Sequence, residues 1–274
     1  MKEHILVDCH THTGHSFDAD SSMKDMCEAA KQYGIEVYTV TDHCEAERSD
    51  MELSHGISQE EATQKSLEEI NELREKYKGT GFQLLRGVEV GQPTQCLEVA
   101  ERVVKREYDF VIGSLHALRN EGDFYYMGDR VLTPKEMDET LERYLIQTLE
   151  MIQWGKFDTL AHLGYPLRYL NGGALKGFGA QDELVDQVFR RLIEAGKALE
   201  VNTSRLMEGG QILPFPHYLK RYRQLGGELV TIGSDAHTPE KAGSGIREGY
   251  ELLREAGFRY VFYYENRKPH GVKL

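Results

Sequence analysis

Several features are scarce or missing in this 274-residue chain, and each excludes a class of protein. Its four cysteines form no C-x-x-C pair, which excludes a zinc ribbon and a thioredoxin-like motif. No run approaches the roughly 18 apolar residues that a membrane helix needs. Met1-Lys2-Glu3-His4 leads into a short apolar run without the long apolar core of a signal peptide. We therefore expect a cytoplasmic protein with reduced thiols and no membrane partner.

Positive charge is also scarce. The chain has 33 Lys and Arg against 45 Asp and Glu, giving a net charge of −12 and a pI of about 5.4. This excess of acid argues against binding long nucleic acids, which depends on many basic contacts to phosphate. A small phosphorylated substrate stays compatible with it, because bound metal ions can supply local positive charge. No interface stripe stands out, so the sequence predicts no oligomeric state.

Short apolar runs alternate with amphipathic segments along the chain. Such alternation predicts parallel βα units, and seven or eight of them in one chain indicate a barrel. We predict an α/β fold, a closed or nearly closed barrel, as a single domain over residues 1–274. The predicted strands are Ile5–Val7, Glu36–Thr41, Phe82–Val88, Phe110–Gly113, Thr159–Ala161, Ala198–Val201 and Leu229–Ile232, with Tyr260–Tyr264 as a candidate eighth.

Helix boundaries are marked by capping residues. Ser22 precedes a helix that Gly34 ends, and Ser58 has capping-box spacing to Glu61. Thr133-Pro134 predicts a helix running to about Trp154, and a further helix is predicted over Glu183–Ala195.

Potential metal ligands follow the predicted strands. His10 and His12 are two residues apart, so on a continuing strand they point the same way and can hold one divalent ion. Chemistry in barrels gathers at the carboxyl ends of the strands. A polynuclear metal site is therefore predicted there. The residues at these ends are Asp8, His10, His12, Asp42, His43, Glu89, His116, His162, Asn202, Asp235 and His237.

The number of metals bears on the chemistry. His10, His12, Glu89, His116, His162 and Asp235 suffice for two metals bridged by Glu89, a set that also fits a two-metal amidohydrolase. The remaining histidines are His15, His43 and His237, which either bind a third cation or support the other ligands. Three cations can share the charge of a phosphoryl group, which favours phosphoester hydrolysis.

The ligand motifs together resemble the polymerase and histidinol phosphatase (PHP) family. They span residues 8–237, and the length of the chain and the segment between His116 and His162 are similar to those of the stand-alone histidinol-phosphate phosphatases. The matching motifs are Asp8-Cys9-His10-Thr11-His12-Thr13 with His15-Ser16, Thr41-Asp42-His43, Gly87-Val88-Glu89, Gly113-Ser114-Leu115-His116, Ala161-His162 and Gly233-Ser234-Asp235-Ala236-His237.

The resemblance implies a distorted seven-stranded (β/α) barrel with three divalent metal ions: zinc, iron or manganese. It implies that His10, His12, Glu89 and Asp235 bind the first metal; Glu89, His116 and His162 the second; and His15, His43 and His237 the third.

The activity implied is hydrolysis of a phosphomonoester, with L-histidinol phosphate giving L-histidinol for histidine biosynthesis. We hypothesise that a hydroxide between the first two metals attacks phosphorus. Arg168 and Arg205, in loops on the same face, are predicted to hold the phosphoryl oxygens, and Asn202 to touch the substrate. Asp42 is a candidate to orient the nucleophile or protonate the leaving alkoxide, or else to hold a histidine tautomer.

Other interpretations stay open at this point. Within the family, the substrate could be a nucleotide or phosphotyrosine; outside it, the chain could be a two-metal amidohydrolase or a non-catalytic metal-binding scaffold. Asp123-Phe124-Tyr125-Tyr126 and Tyr165 follow the fourth and fifth strands. These groups could face an imidazole and an ammonium through stacking and charge, or simply pack a loop against the barrel.

Overall fold

The computed structural model describes residues 5–48, 54–128 and 130–274, so the predicted features of the first four residues lie outside it. The strands are β1 Val7–Asp8, β2 Val37–Val40, β3 His43–Glu45, β4 Gln83–Gly91, β5 Phe110–Ser114, β6 Thr159–Leu160, β7 Ala198–Asn202, β8 Val230–Gly233, β9 Tyr260–Glu265 and β10 Lys268–Lys273. The α-helices are α1 Met23–Tyr33, α2 Gln59–Tyr77, α3 Leu97–Val104, α4 Pro134–Trp154, α5 Asp182–Glu194, α6 Pro216–Gln224 and α7 Ile246–Glu255. Short 3-10 helices cover Ala46–Arg48, Phe124–Met127, Tyr165–Arg168, Leu170–Gly173, Gly179–Gln181, Leu206–Glu208 and Pro239–Lys241.

The strands β1 to β8 form a parallel barrel. Their hydrogen-bonded order is β1-β2-β4-β5-β6-β7-β8, and β3 continues the line of β2 along the long strand β4. The two ends of this order meet, because Cys9 N donates to Ile232 O over 2.9 Å and Asp235 N donates to His10 O over 2.8 Å. The predicted nearly closed, seven-stranded α/β barrel is therefore confirmed.

The junction between β1 and β8 depends on close approach. At Gly233, an added Cβ would come within 2.3 Å of the His10 Cβ, so only glycine fits there. The buried Asp8 carboxylate accepts hydrogen bonds from Ser234 N and Oγ, at 2.9 and 2.6 Å. Burial raises the pKa of Asp8 to about 6, and the Ser234 hydrogen bonds oppose that shift.

The prediction that Tyr260–Tyr264 is an eighth barrel strand is wrong. It lies in β9, which pairs antiparallel with β10 as a hairpin. The hairpin turn lies at the amino ends of β5 and β6, where Asn266 N donates to Asp109 Oδ1 over 3.1 Å and Arg267 pairs with Asp158. The hairpin thus covers the end of the barrel opposite to the predicted site.

The helices begin where the capping residues predict. Ser22 and Ser58 accept main-chain hydrogen bonds at the starts of α1 and α2, and Gly34 follows α1 with a φ of 100°. Thr133 and Glu136 form a reciprocal capping box at α4. None of the helices in the described ranges combines the length and apolar character needed to cross a membrane.

The contribution of the α4 cap to stability can be tested by substitution. Thr133→Ala removes the side chain that accepts from Glu136 N, and we expect a loss of about 1 kcal/mol in the free energy of unfolding. Urea denaturation followed by circular dichroism measures this loss. Thr133→Ser keeps the hydroxyl and should stay close to wild type; equal stability of all three proteins would contradict the capping role.

Candidate metal centre

Eight of the nine predicted metal ligands converge at the carboxyl ends of the barrel strands. They form overlapping groups, and within each group the ligand atoms all lie within 4.8 Å of one another. Such convergence is what a polynuclear metal centre requires. The groups are His10, His12 and Asp235; His10, Glu89 and His162; His43, Glu89 and His116; and His12, His43 and His237.

Glu89 lies at the middle of the cluster. Its Oε1 is 3.0 Å from His162 Nε2 and 3.3 Å from His116 Nε2. Its Oε2 is 3.2 Å from His10 Nε2 and 2.9 Å from His43 Nδ1. The two oxygens therefore face different sets of histidines, which suits a carboxylate that bridges two cations.

The unpaired atoms of the cluster fit metal ions. Among the described residues, the buried His10 Nε2, His12 Nε2 and Glu89 Oε2 lie close to neighbouring ligand atoms but form no hydrogen bond, an expensive arrangement unless a ligand satisfies them. Burial alone would raise the pKa of Glu89, yet His10, His43 and His116 hold it well below its usual value. Neutral imidazole and carboxylate donors suit zinc, iron and manganese.

Buried carboxylates orient two of the histidines. Glu200 Oε1 lies 2.5 Å from His10 Nδ1, and Glu45 Oε1 lies 3.0 Å from His116 Nδ1. A carboxylate at Nδ1 keeps the proton there and leaves Nε2 free to bind metal. Neither acid was predicted, although strand alternation offers a signal: Glu45 is two residues from His43, and Glu200 two from Asn202.

The Asp42 side chain is surrounded by hydrogen-bond donors. Its carboxylate is buried and accepts from Thr13 N at 2.6 Å, Ser16 Oγ at 2.8 Å and Ser66 Oγ at 2.6 Å. Ser16 Oγ also lies 3.2 Å from His12 Nδ1, so Asp42 is linked through Ser16 to His12. This arrangement favours the predicted role of holding a histidine tautomer over the predicted role in proton transfer.

His15 is the one predicted ligand that lies apart from the cluster. Its Nε2 is 2.7 Å from Glu69 Oε2 on α2, so the ring is engaged by a helix outside the barrel. Asp18, not His15, faces the other two histidines of the predicted third set. Its Oδ2 is 3.2 Å from His237 Nε2 and 3.5 Å from His43 Nε2. The prediction that His15 joins His43 and His237 is therefore not supported by the structure.

A cavity of about 600 Å³ opens beside the cluster and is lined by both predicted arginines. The buried Arg168 Nε has no hydrogen-bond partner among the residues that the structure describes, and the Arg205 guanidinium lies over the Tyr169 ring, 5.0 Å from its centroid. Asn202 is buried and is not among the cavity-lining residues: its Oδ1 accepts from Arg168 and its Nδ2 donates to Asp235. Asn202 thus holds Arg168 and Asp235, and its contact with a substrate stays a prediction.

Two of the predicted ligands have unusual backbone geometry. His162 and Asp235 have φ values of 23° and 54°, uncommon for residues other than glycine. Both are held in place, since His162 N donates to Glu200 Oε2 over 2.7 Å and Asp235 N donates to His10 O. Strain of this kind concentrates at functional sites.

The fold and the ligand cluster define a metal-binding α/β barrel, and the comparisons identify its family. The PHP domain model matches residues 8–204. The chain is 32% identical over 269 residues to a protein named "Probable histidinol-phosphatase" from Thermotoga maritima, a match covering 98% of this chain and all of the relative. The chain therefore belongs to the PHP domain family.

Further relatives agree. A protein named "Histidinol-phosphatase" from Lactococcus lactis is 26% identical, with 96% of this chain and 95% of the relative covered. The crystal structure of a histidinol phosphate phosphatase from Lactococcus lactis, complexed with zinc, L-histidinol and phosphate, has a TM-score of 0.81. It is 24% identical and covers 97% of this chain and 98% of the solved one. These matches confirm the family, the fold and the predicted class, a phosphoric monoester hydrolase.

The orientation of His10 by Glu200 can be tested. Glu200→Gln keeps the shape but removes the charge beside His10 Nδ1, and we expect metal affinity to fall about 10- to 100-fold. Metal content after dialysis against a graded chelator, read by elemental analysis, measures the change. Glu194→Gln, on the exposed side of α5, is the matched control. Retention equal to wild type in Glu200→Gln would refute the orienting role.

Proposed function

We propose that this protein is a metal-dependent phosphomonoesterase that hydrolyses L-histidinol phosphate to L-histidinol and phosphate, in a single domain over residues 1–274. The observation that carries the proposal is the buried cluster around Glu89, which opens into a cavity lined by Arg168 and Arg205. A metal cluster next to two guanidinium groups suits a phosphoryl group. The names of the matching relatives support histidinol phosphate as the substrate.

Three divalent ions fit the available donors. His10, His12, Glu89 and Asp235 would hold the first, and Glu89, His116 and His162 the second. When bound, such ions lower the pKa of water so that hydroxide can attack phosphorus near neutral pH. Zinc, iron and manganese all suit these ligands.

The third set consists of Asp18, His43 and His237. Asp18 replaces His15 in the assignment, because its carboxylate faces both histidines while His15 faces Glu69. A third metal ligand beside His43 and His237 must be a carboxylate or an imidazole that faces the cavity. Asp18 is a carboxylate that lines this cavity.

Arg168 and Arg205 are proposed to bind the phosphoryl oxygens. Arg168 is held by Asn202 Oδ1 at 2.8 Å, which leaves its Nε and Nη1 groups to donate elsewhere. The Arg205 guanidinium lies over the Tyr169 ring, and this cation–π contact helps to hold it at the cavity wall. A guanidinium held in advance loses little entropy when it binds a phosphate.

The third set is tested by a pair of variants. Asp18→Asn should lower the metal content from three ions per chain to two, because the amide is a weaker ligand than the carboxylate. His15→Asn should keep all three, since His15 contacts Glu69 instead. Elemental analysis of the purified proteins measures both. The reverse pattern, with a loss only in His15→Asn, would restore the assignment made from the sequence.

The substrate is tested by comparing kcat/KM for phosphate release from L-histidinol phosphate, p-nitrophenyl phosphate and a nucleoside monophosphate. We expect a preference of several orders of magnitude for L-histidinol phosphate, because cavity contacts beyond the phosphate strengthen binding in the transition state. Glu89→Ala, which lacks the bridging carboxylate, should abolish release. Similar slow rates on all three would redirect the search to nucleotides and phosphopeptides. No release from fully metal-loaded enzyme would instead favour an amidohydrolase.

A further inference from the structure

Asp123 differs from the other acidic residues that line the cavity. Asp235 faces His12, and Asp18 faces His43 and His237. Glu208 pairs with Lys241. Within the part of the chain that the structure describes, Asp123 instead accepts hydrogen bonds only from neutral donors and forms no ion pair.

The Asp123 side chain is held firmly. Its Oδ1 accepts from Tyr125 N at 2.7 Å and from the Tyr165 hydroxyl at 3.2 Å. Both bonds use the same oxygen, which leaves Oδ2 available. Tyr165 in turn packs on the His116 ring, with the ring centroids 4.9 Å apart.

The main chain ties Asp123 to the metal centre. Residues 117 and 123 form an antiparallel bridge, and Phe124 N donates to His116 O over 3.0 Å. Asp123 therefore keeps a constant position relative to His116. Burial raises the pKa of Asp123, an effect that the nearby His116 opposes.

The cavity consequently has charges of opposite sign on its wall. Arg168 and Arg205 come from the loops after β6 and β7, while Asp123 comes from the loop after β5. A carboxylate with neutral partners, placed in a cavity that accepts an anion, is suited to a ligand that carries a cation as well. An ammonium group supplies a full positive charge and N–H donors at neutral pH.

We propose that Asp123 is the specificity-determining residue of this site and that its Oδ2 accepts a hydrogen bond from the ammonium group of the substrate. This inference rests on the proposed function, because it assumes a phosphomonoester that also carries an amine. In this proposal Asp123 discriminates between phosphomonoesters with and without an ammonium group, while Arg168 and Arg205 bind the phosphate.

The test compares L-histidinol phosphate with 3-(imidazol-4-yl)propyl phosphate, which has the same skeleton without the ammonium group. Asp123→Asn keeps the shape and the Oδ1 acceptor but removes the charge. We expect kcat/KM for L-histidinol phosphate to fall about 10- to 100-fold, the usual size of a lost hydrogen bond to a charged group. The value for the desamino analogue should change less than about threefold, because that analogue never makes the contact.

Asp138→Asn is the matched control. Asp138 is exposed on α4 and does not line the cavity, so both kcat/KM values should stay near wild type. Melting temperatures of all variants report any loss of folding. An equal loss on both substrates in Asp123→Asn would assign Asp123 a structural role only, and no loss on either would place the ammonium elsewhere; both outcomes overturn the inference. If wild-type enzyme releases phosphate from neither compound, the proposed function itself fails.

Discussion

The charge balance around Glu89 is the constraint on which the rest of the structure depends. A buried carboxylate is tolerated only when positive charge or hydrogen-bond donors surround it. Glu89 meets this condition through histidines that come from several strands, and Glu45 and Glu200 add further buried acids behind His116 and His10. Because these carboxylates and histidines belong to different strands, they can be satisfied only when the strands are assembled side by side.

The closure of the barrel is therefore coupled to the assembly of the site. The main-chain bond from Asp235 N to His10 O helps to join the first and last barrel strands, and both residues are proposed metal ligands. The glycine at 233 lets the two strands approach at this point. Metal binding to such a site stabilises the closed barrel, since the ligand set does not exist in the unfolded chain.

The ligands at strand ends are predictable because parallel strands in a barrel end at one face. His10, Glu89, His116, His162 and Asp235 follow this rule and lie together as expected. The same alternation bears on the two roles predicted for Asp42. Adjacent residues on an extended segment point to opposite sides, so Asp42 faces Ser66 on α2 while His43 faces Glu89.

Loops are where prediction from the sequence fails. His15 and Asp18 lie three residues apart between β1 and α1, and no periodicity determines which one points to the cluster. The choice depends on tertiary contacts: Glu69 on α2 faces His15, while His43 and His237 face Asp18. The wrong prediction for Tyr260–Tyr264 has a similar cause. Its pairing with the partner strand β10 shows that it belongs to a hairpin and not to the barrel.

The acidic composition and the proposed binding of phosphate are compatible because surface charges and cavity charges act over different distances. Surface charges are screened within about 8 Å at physiological salt, whereas groups inside a cavity interact with little screening. A small phosphomonoester that enters the cavity meets Arg168 and Arg205 at close range. A long polyanion would extend beyond the cavity over a surface of a protein whose net charge is −12. The same charge distribution thus fits the proposed small phosphorylated substrate.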